Sequence, residues 1–176
     1  MAGEWRGRIL TFPDRSGIRP TPDRVRETLF NWLQPTIVGA HCLDLFAGSG
    51  ALGLEALSRG AAQVDFVERD RISTTAITNH LQLLNSAGGD VYTQDAFRFL
   101  QGSELTRYDL IFLDPPFGQG LLERAFLLLK QSKISPQLQL YVEIEHELDD
   151  LQMPEGWEVA RSGGAGQVRY MLLRQI

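Results

Sequence analysis

The chain has 176 residues, 43% hydrophobic and 22% charged, with a formal net charge of −5. That size and balance suit a single globular domain with a real core. They exclude a membrane-spanning chain, a disulfide framework or Cys-rich zinc site (Cys42 is the single cysteine), and a polycation that coats nucleic acid. The start lacks a secretory apolar region, so a cytoplasmic protein is expected.

Residues 1–20 read as a basic N-terminal arm, extended or folded as a small hairpin, with short alternating runs such as Arg8-Ile9-Leu10-Thr11-Phe12. Residues 21–176 read as the globular domain. Residues 1–26 carry six arginines against Glu4, Asp14 and Asp23, a local +3 that leaves −8 for the rest. A basic arm on an acidic body suits contact with phosphates at one end; scattered, solvated arginines give the same count. Thr21-Pro22-Asp23 then opens a helix, with Thr21 as N-cap, Pro22 in the first turn and Asp23 at the positive end of the dipole. Val25, Leu29, Trp32 and Leu33 share one face, and Pro35 stops the helix.

From about residue 40 the pattern alternates. Strands are expected near 42–46, 64–68, 91–94, 109–113 and 139–145, and helices near 51–59, 71–85 and 120–131. Strand-helix alternation predicts an α/β fold with a mostly parallel, doubly wound sheet. After residue 150, Trp157–Ala160 and Val168–Leu173 flank the glycine-rich Ser162–Gly166, which predicts a terminal antiparallel hairpin and seven strands in all.

Two motifs carry chemistry. Gly48-Ser49-Gly50-Ala51-Leu52-Gly53 follows the strand-like Leu43-Asp44-Leu45-Phe46 and opens a helix. This G-x-G-x-x-G context predicts a nucleotide-like ligand close to the backbone, with Glu68, ending the next strand, on its ribose hydroxyls. The motif alone fits NAD and S-adenosylmethionine equally. Asp44, placed before Phe46-Ala47-Gly48, repels a pyrophosphate but suits the cationic methionine end of S-adenosylmethionine; it can instead hold the loop through backbone N–H groups. Asp95 follows the third strand, where it can accept from the adenine amino group, with Ala96 and Phe97 beside the ring; its alternative role is to cap a turn. No dehydrogenase pattern is evident, and no lysine follows the glycines as an ATP-binding P-loop requires.

The second motif is Asp114-Pro115-Pro116-Phe117, closing the apolar run Leu110–Leu113. An exocyclic amine on a base is a weak nucleophile because its lone pair is delocalised into the ring. A carboxylate accepting one N–H and a backbone carbonyl accepting the other localise and aim that pair. Pro115 and Pro116 fix the backbone, and Phe117 offers a face for a flipped base. Asp114 through Phe117 are thus the candidate catalytic residues, and catalysis is mainly orientation.

Together these residues resemble the RsmD-type bacterial 16S rRNA guanine-N2 methyltransferases. The resemblance runs nearly end to end, through Trp5-Arg6-Gly7-Arg8, the stretch Arg19–Leu33, Asp44–Ala61, Phe66-Val67-Glu68 and Asp114–Phe117. It implies a Rossmann-like class I methyltransferase fold with S-adenosylmethionine as cofactor. It further implies a guanine of 16S rRNA as target, in the small subunit or its assembly intermediate. Arg6, Arg8, Arg19 and Arg24 are the expected RNA contacts, and a monomer without metal is expected. The alternatives are methylation of another planar amine (adenine N6 or a protein glutamine), an NAD-dependent oxidoreductase, or a non-catalytic RNA-binding module.

Overall fold

In the computed structural model, residues 1–8, 22–145 and 153–176 are described. The apolar runs become strands β1 (His41–Asp44), β2 (Gln63–Glu68), β3 (Gly89–Thr93), β4 (Leu110–Leu113) and β5 (Gln139–Glu145), followed by β6 (Trp157–Ala165) and β7 (Val168–Gln175). Their order in one sheet is β3-β2-β1-β4-β5-β7-β6. The first five are parallel, and β7 runs antiparallel between β5 and β6. The expected mostly parallel sheet with a terminal hairpin is the one observed.

Helices α1 (Asp23–Leu33), α2 (Ala51–Ser58) and α3 (Arg71–Leu83) cover one face, and α4 (Ala96–Gly102) and α5 (Leu121–Gln131) the other. The first core gathers Leu29, Phe30, Leu54, Phe66, Ile77 and Phe112. The second gathers Phe99, Tyr108, Ile111, Leu113, Phe126 and Leu140. Strand β1 lies between β2 and β4, so the winding reverses at β1/β4. A crevice for ligand opens at such a reversal, at the carboxyl ends of the strands.

Four local expectations are corrected. Pro22 precedes α1 in an extended conformation (φ −54°, ψ 142°) and its carbonyl accepts from the amides of Val25 and Arg26, so it sits at the N-cap; Thr21 lies outside the described residues. Helix α4 escaped the periodic pattern because seven residues are too few to show one. Strand β6 continues through Gly163 and Gly164, which pair with Tyr170 and Arg169, and only Gly166 and Gln167 form the turn. A Cβ at Gly163 would lie 2.5 Å from the Tyr170 ring, so the glycine admits the aromatic across the strand pair.

The fourth concerns the arm. Residues 1–8 pack onto the body instead of extending from it. Gly3–Trp5 form a short 3-10 turn, Trp5 is buried, and its amide donates to Ser58 Oγ at 3.0 Å. The Ala2 amide donates to Glu55 Oε1 at 3.2 Å. Glu55, buried in α2, also accepts from Arg59 Nε at 2.9 Å and lies 3.9 Å from Arg26 Nε, which ties α1, α2 and the first residues together. Residues 9–21 lie outside the described residues.

Candidate active site

Strand β1 ends at Asp44, and the chain turns through Phe46 and Ala47 into α2. Gly50 is the N-cap, at φ +78°, with Gly48 at φ +52°. A side chain at Gly50 would be strained by that φ and would press on Ile77 at 2.9 Å. At Gly53 a Cβ would lie 2.3 Å from the Phe66 ring, so the third glycine lets α2 press against β2. Gly50 has no side chain to cap α2, and the first-turn amide of Gly53 is taken by Asp44 instead.

The carboxylates around this loop are built into it. Asp44 Oδ2 accepts the Gly53 amide at 3.0 Å and is buried. Burial pushes its carboxyl up to about 7, the Gly53 hydrogen bond opposes, and the charge of Glu68 adds to the rise. Glu68 Oε2 accepts the Gly48 amide at 3.0 Å, and its Oε1 accepts the Asp70 amide at 2.9 Å. Both residues anticipated for the cofactor therefore also hold the backbone that would receive it. Asp95 Oδ1 accepts the amides of Phe97 and Arg98, each at 3.0 Å, as N-cap of α4. Ala96 is buried behind it, and Phe97 meets Phe46 edge-on at 6.0 Å. Arg124 of α5, unremarked in the sequence, lies 4.0 Å over the Phe97 ring. Cys42 is fully buried in β1, and burial pushes its thiol well up, as suits an inert core residue.

One strand over, β4 delivers Asp114. Strands β1 and β4 are direct neighbours, with Asp44 paired to Phe112, so both motifs leave the same edge of the sheet. Asp114 is half-buried, Pro115 buried, Pro116 exposed and Phe117 half-buried. Beside them stands a feature the sequence reading missed. Glu143 of β5 is buried and accepts the Tyr141 hydroxyl at 2.6 Å. The only local signal was one acidic residue inside Leu140–Ile144.

The arginines divide. Arg26 faces Glu55, and the Arg59 guanidinium lies 5.3 Å from the Phe30 ring centroid, so α1 runs alongside α2 in the same direction. The start of α1, with exposed Arg24, therefore comes to the carboxyl edge. Arg8 donates to the Leu83 carbonyl at 3.4 Å, at the far end of α3. With 13 residues, that helix carries Arg8 about 20 Å from the crevice. Arg6 is exposed in the same segment, and Arg19 lies outside the described residues.

Glu68 and the glycine turns suit a ribose diol close to the backbone. The buried Asp44 carboxylate is what opposes a pyrophosphate and suits a cationic sulfonium and ammonium, so the donor set fits S-adenosylmethionine better than NAD. In this sheet order, that site defines a class I S-adenosylmethionine-dependent methyltransferase. A family model described as conserved hypothetical protein 95 matches residues 1–174. Ribosomal RNA small subunit methyltransferase D of Escherichia coli K12 is 46% identical over 99% of this chain and 88% of its own length. The Haemophilus influenzae protein of that name is 44% identical over 98% and 91%. The solved structure of Escherichia coli yhhF, described as a methyltransferase, superposes with a TM-score of 0.90 at 44% identity, over 99% of this chain and 95% of that one. The chain belongs to this family, the RsmD family. Among the described residues, no helix is long and apolar enough to cross a membrane.

Proposed function

We propose that the chain methylates the exocyclic N2 of one guanine in 16S rRNA, in the small subunit or its assembly intermediate, as a cytoplasmic monomer without metal. The observation that carries this reading is the placement of Asp114–Phe117 beside the glycine loop, on neighbouring strands of a chain 46% identical to an rRNA methyltransferase. S-adenosylmethionine, when bound, supplies an electrophilic methyl group. Glu68 holds its ribose, Asp44 faces the cationic end, and Phe46, Ala47, Gly48 and Gly50 shape the loop around it. Asp95 and Ala96 border the adenine. Asp114 and a backbone carbonyl accept the two hydrogens of the target amine, Pro115 and Pro116 keep those acceptors fixed, and Phe117 stacks on the flipped base. Arg24 meets rRNA phosphates at the mouth, and Arg6 and Arg8 form a more distant patch; Arg19, outside the described residues, is a further proposed rRNA contact.

Mass mapping of modified nucleosides in 16S rRNA, from a deletion strain with and without the gene restored, tests this reading. One N2-methylguanosine that disappears and returns is expected. A restored N6-methyladenosine, or no change in rRNA with a methylated protein glutamine, would replace it.

A further inference from the structure

Both guanine and adenine present an exocyclic amine that Asp114 can hold. The ring atoms beside the amines differ. Guanine carries N1–H, a donor, next to its N2 amine; adenine carries an unprotonated N1, an acceptor, next to its N6 amine. A protein acceptor beside the amine-holding carboxylate therefore selects guanine, and a donor there selects adenine.

Strand β5 supplies an acceptor at that place. The register pairs Phe112 with Tyr141 and Leu113 with Val142, so one step on, Asp114 comes beside Glu143. The pleat turns both toward the face of Phe112 and Tyr141, whose ring centroids lie 6.2 Å apart. Glu143 is 5% exposed, at the edge where the crevice opens, and the fully buried Tyr141 supports its Oε1 from below. Burial first, then the charge and hydrogen bond of Glu143, then the charges of Asp114 and Tyr170, push the Tyr141 phenol far above its ordinary range. Tyr141 therefore remains a donor to Glu143 Oε1. Across the ladder stands Tyr170, stacked on Trp32 at 5.4 Å and closed over Gly163. A carboxylate has about four lone-pair sites, enough to take a base N–H alongside the Tyr141 hydroxyl.

Resting on the guanine reading, we propose that Glu143 is a specificity-determining residue of the target-base site. It accepts the guanine N1–H while Asp114 accepts from N2, and Tyr141 is the positioning residue that holds it.

The test uses the full chain and small subunits reconstituted with 2-aminopurine at the mapped target. That base keeps the 2-amino group but has no hydrogen on N1. Wild type is expected to prefer guanine by at least ~100-fold in kcat/KM, as sites built for a hydrogen-bonding group do. Glu143→Gln is expected to lower kcat/KM on guanine by at least ~30-fold and to shrink the preference to within ~10-fold, because its amide N–H can pair with the bare N1. Tyr141→Phe is expected to shrink it part of the way. Binding of S-adenosylhomocysteine, followed by calorimetry, should stay within a few-fold in both variants. Wild type that methylates the two bases alike overturns the proposal without any variant. So does a Glu143→Gln protein that binds S-adenosylhomocysteine and keeps the wild-type preference. Failure of the functional reading looks different: wild type then yields no N2-methylguanosine at all.

Discussion

The two halves of the carboxyl edge use acidic side chains in opposite ways. On the β1–β2 side, Asp44 and Glu68 accept backbone amides from Gly53, Gly48 and Asp70, so the carboxylates are part of the loop's own architecture. On the β4–β5 side, Glu143 takes its hydrogen bond from another side chain, Tyr141, and Asp114 sits at the start of a proline-stiffened turn. The first arrangement couples ligand binding to local stability. The second joins two side chains of one strand, so the acceptor is held by a neighbouring hydroxyl.

The largest expected difference is at Asp114. Asp114→Ala should cut turnover by at least ~100-fold, the scale lost with a transition-state hydrogen-bonding group, with S-adenosylhomocysteine affinity within a few-fold. Single-turnover assays with calorimetry check this; wild-type turnover would break the contrast. On the other side, Glu68→Ala should weaken S-adenosylhomocysteine by roughly 1–3 kcal/mol and also lower the melting temperature of the free protein, since two amides lose their acceptor. A variant with weakened binding and unchanged melting would show that Glu68 is not structural.

A smaller, pH-dependent effect belongs to Asp44. Its carboxyl is raised from 3.8 to about 7, so the folded protein holds an extra proton between those values, and Asp44's contribution to stability falls as pH rises through that window. The ligand's ammonium group favours the ionised form. Affinity for S-adenosylhomocysteine should therefore rise a few-fold from pH 6 to 8 with proton release, and Asp44→Asn should flatten the profile. Buffer-dependent calorimetry reads both. The smallest effect separates the arginines. Arg24→Ala should reduce the salt slope of rRNA methylation by about one phosphate contact, and Arg6→Ala/Arg8→Ala by less, with cofactor affinity unchanged in both. The reverse order would place the rRNA along α2 and α3 instead of at the mouth.

Much of the glycine-loop half of the candidate site was legible because its signals are local. Asp44, the three glycines and Glu68 fall within 25 residues, and each type has a backbone reason for its place. Asp95 carried its capping signal too, but the helix it caps was too short to be periodic. The target half was legible only as far as Asp114–Phe117. Glu143 joins it through the register of β4 on β5, which no stretch of sequence contains. The same holds for the arm: Trp5 is buried by a bond to Ser58, 53 residues on, and nothing around Trp5 announces that partner.

The position of β7 has a consequence for biosynthesis. It is translated after β6, yet it occupies the slot between β6 and β5. Until β7 leaves the ribosome, β5 has an unpaired edge and β6 has no neighbour in the sheet. The glycine loop depends on strands made much earlier, so it can assemble on the nascent chain while the wall around Glu143 still waits for Tyr170. On the proposed reading, the strands that carry the methyl-donor loop are thus complete before those that wall the base site.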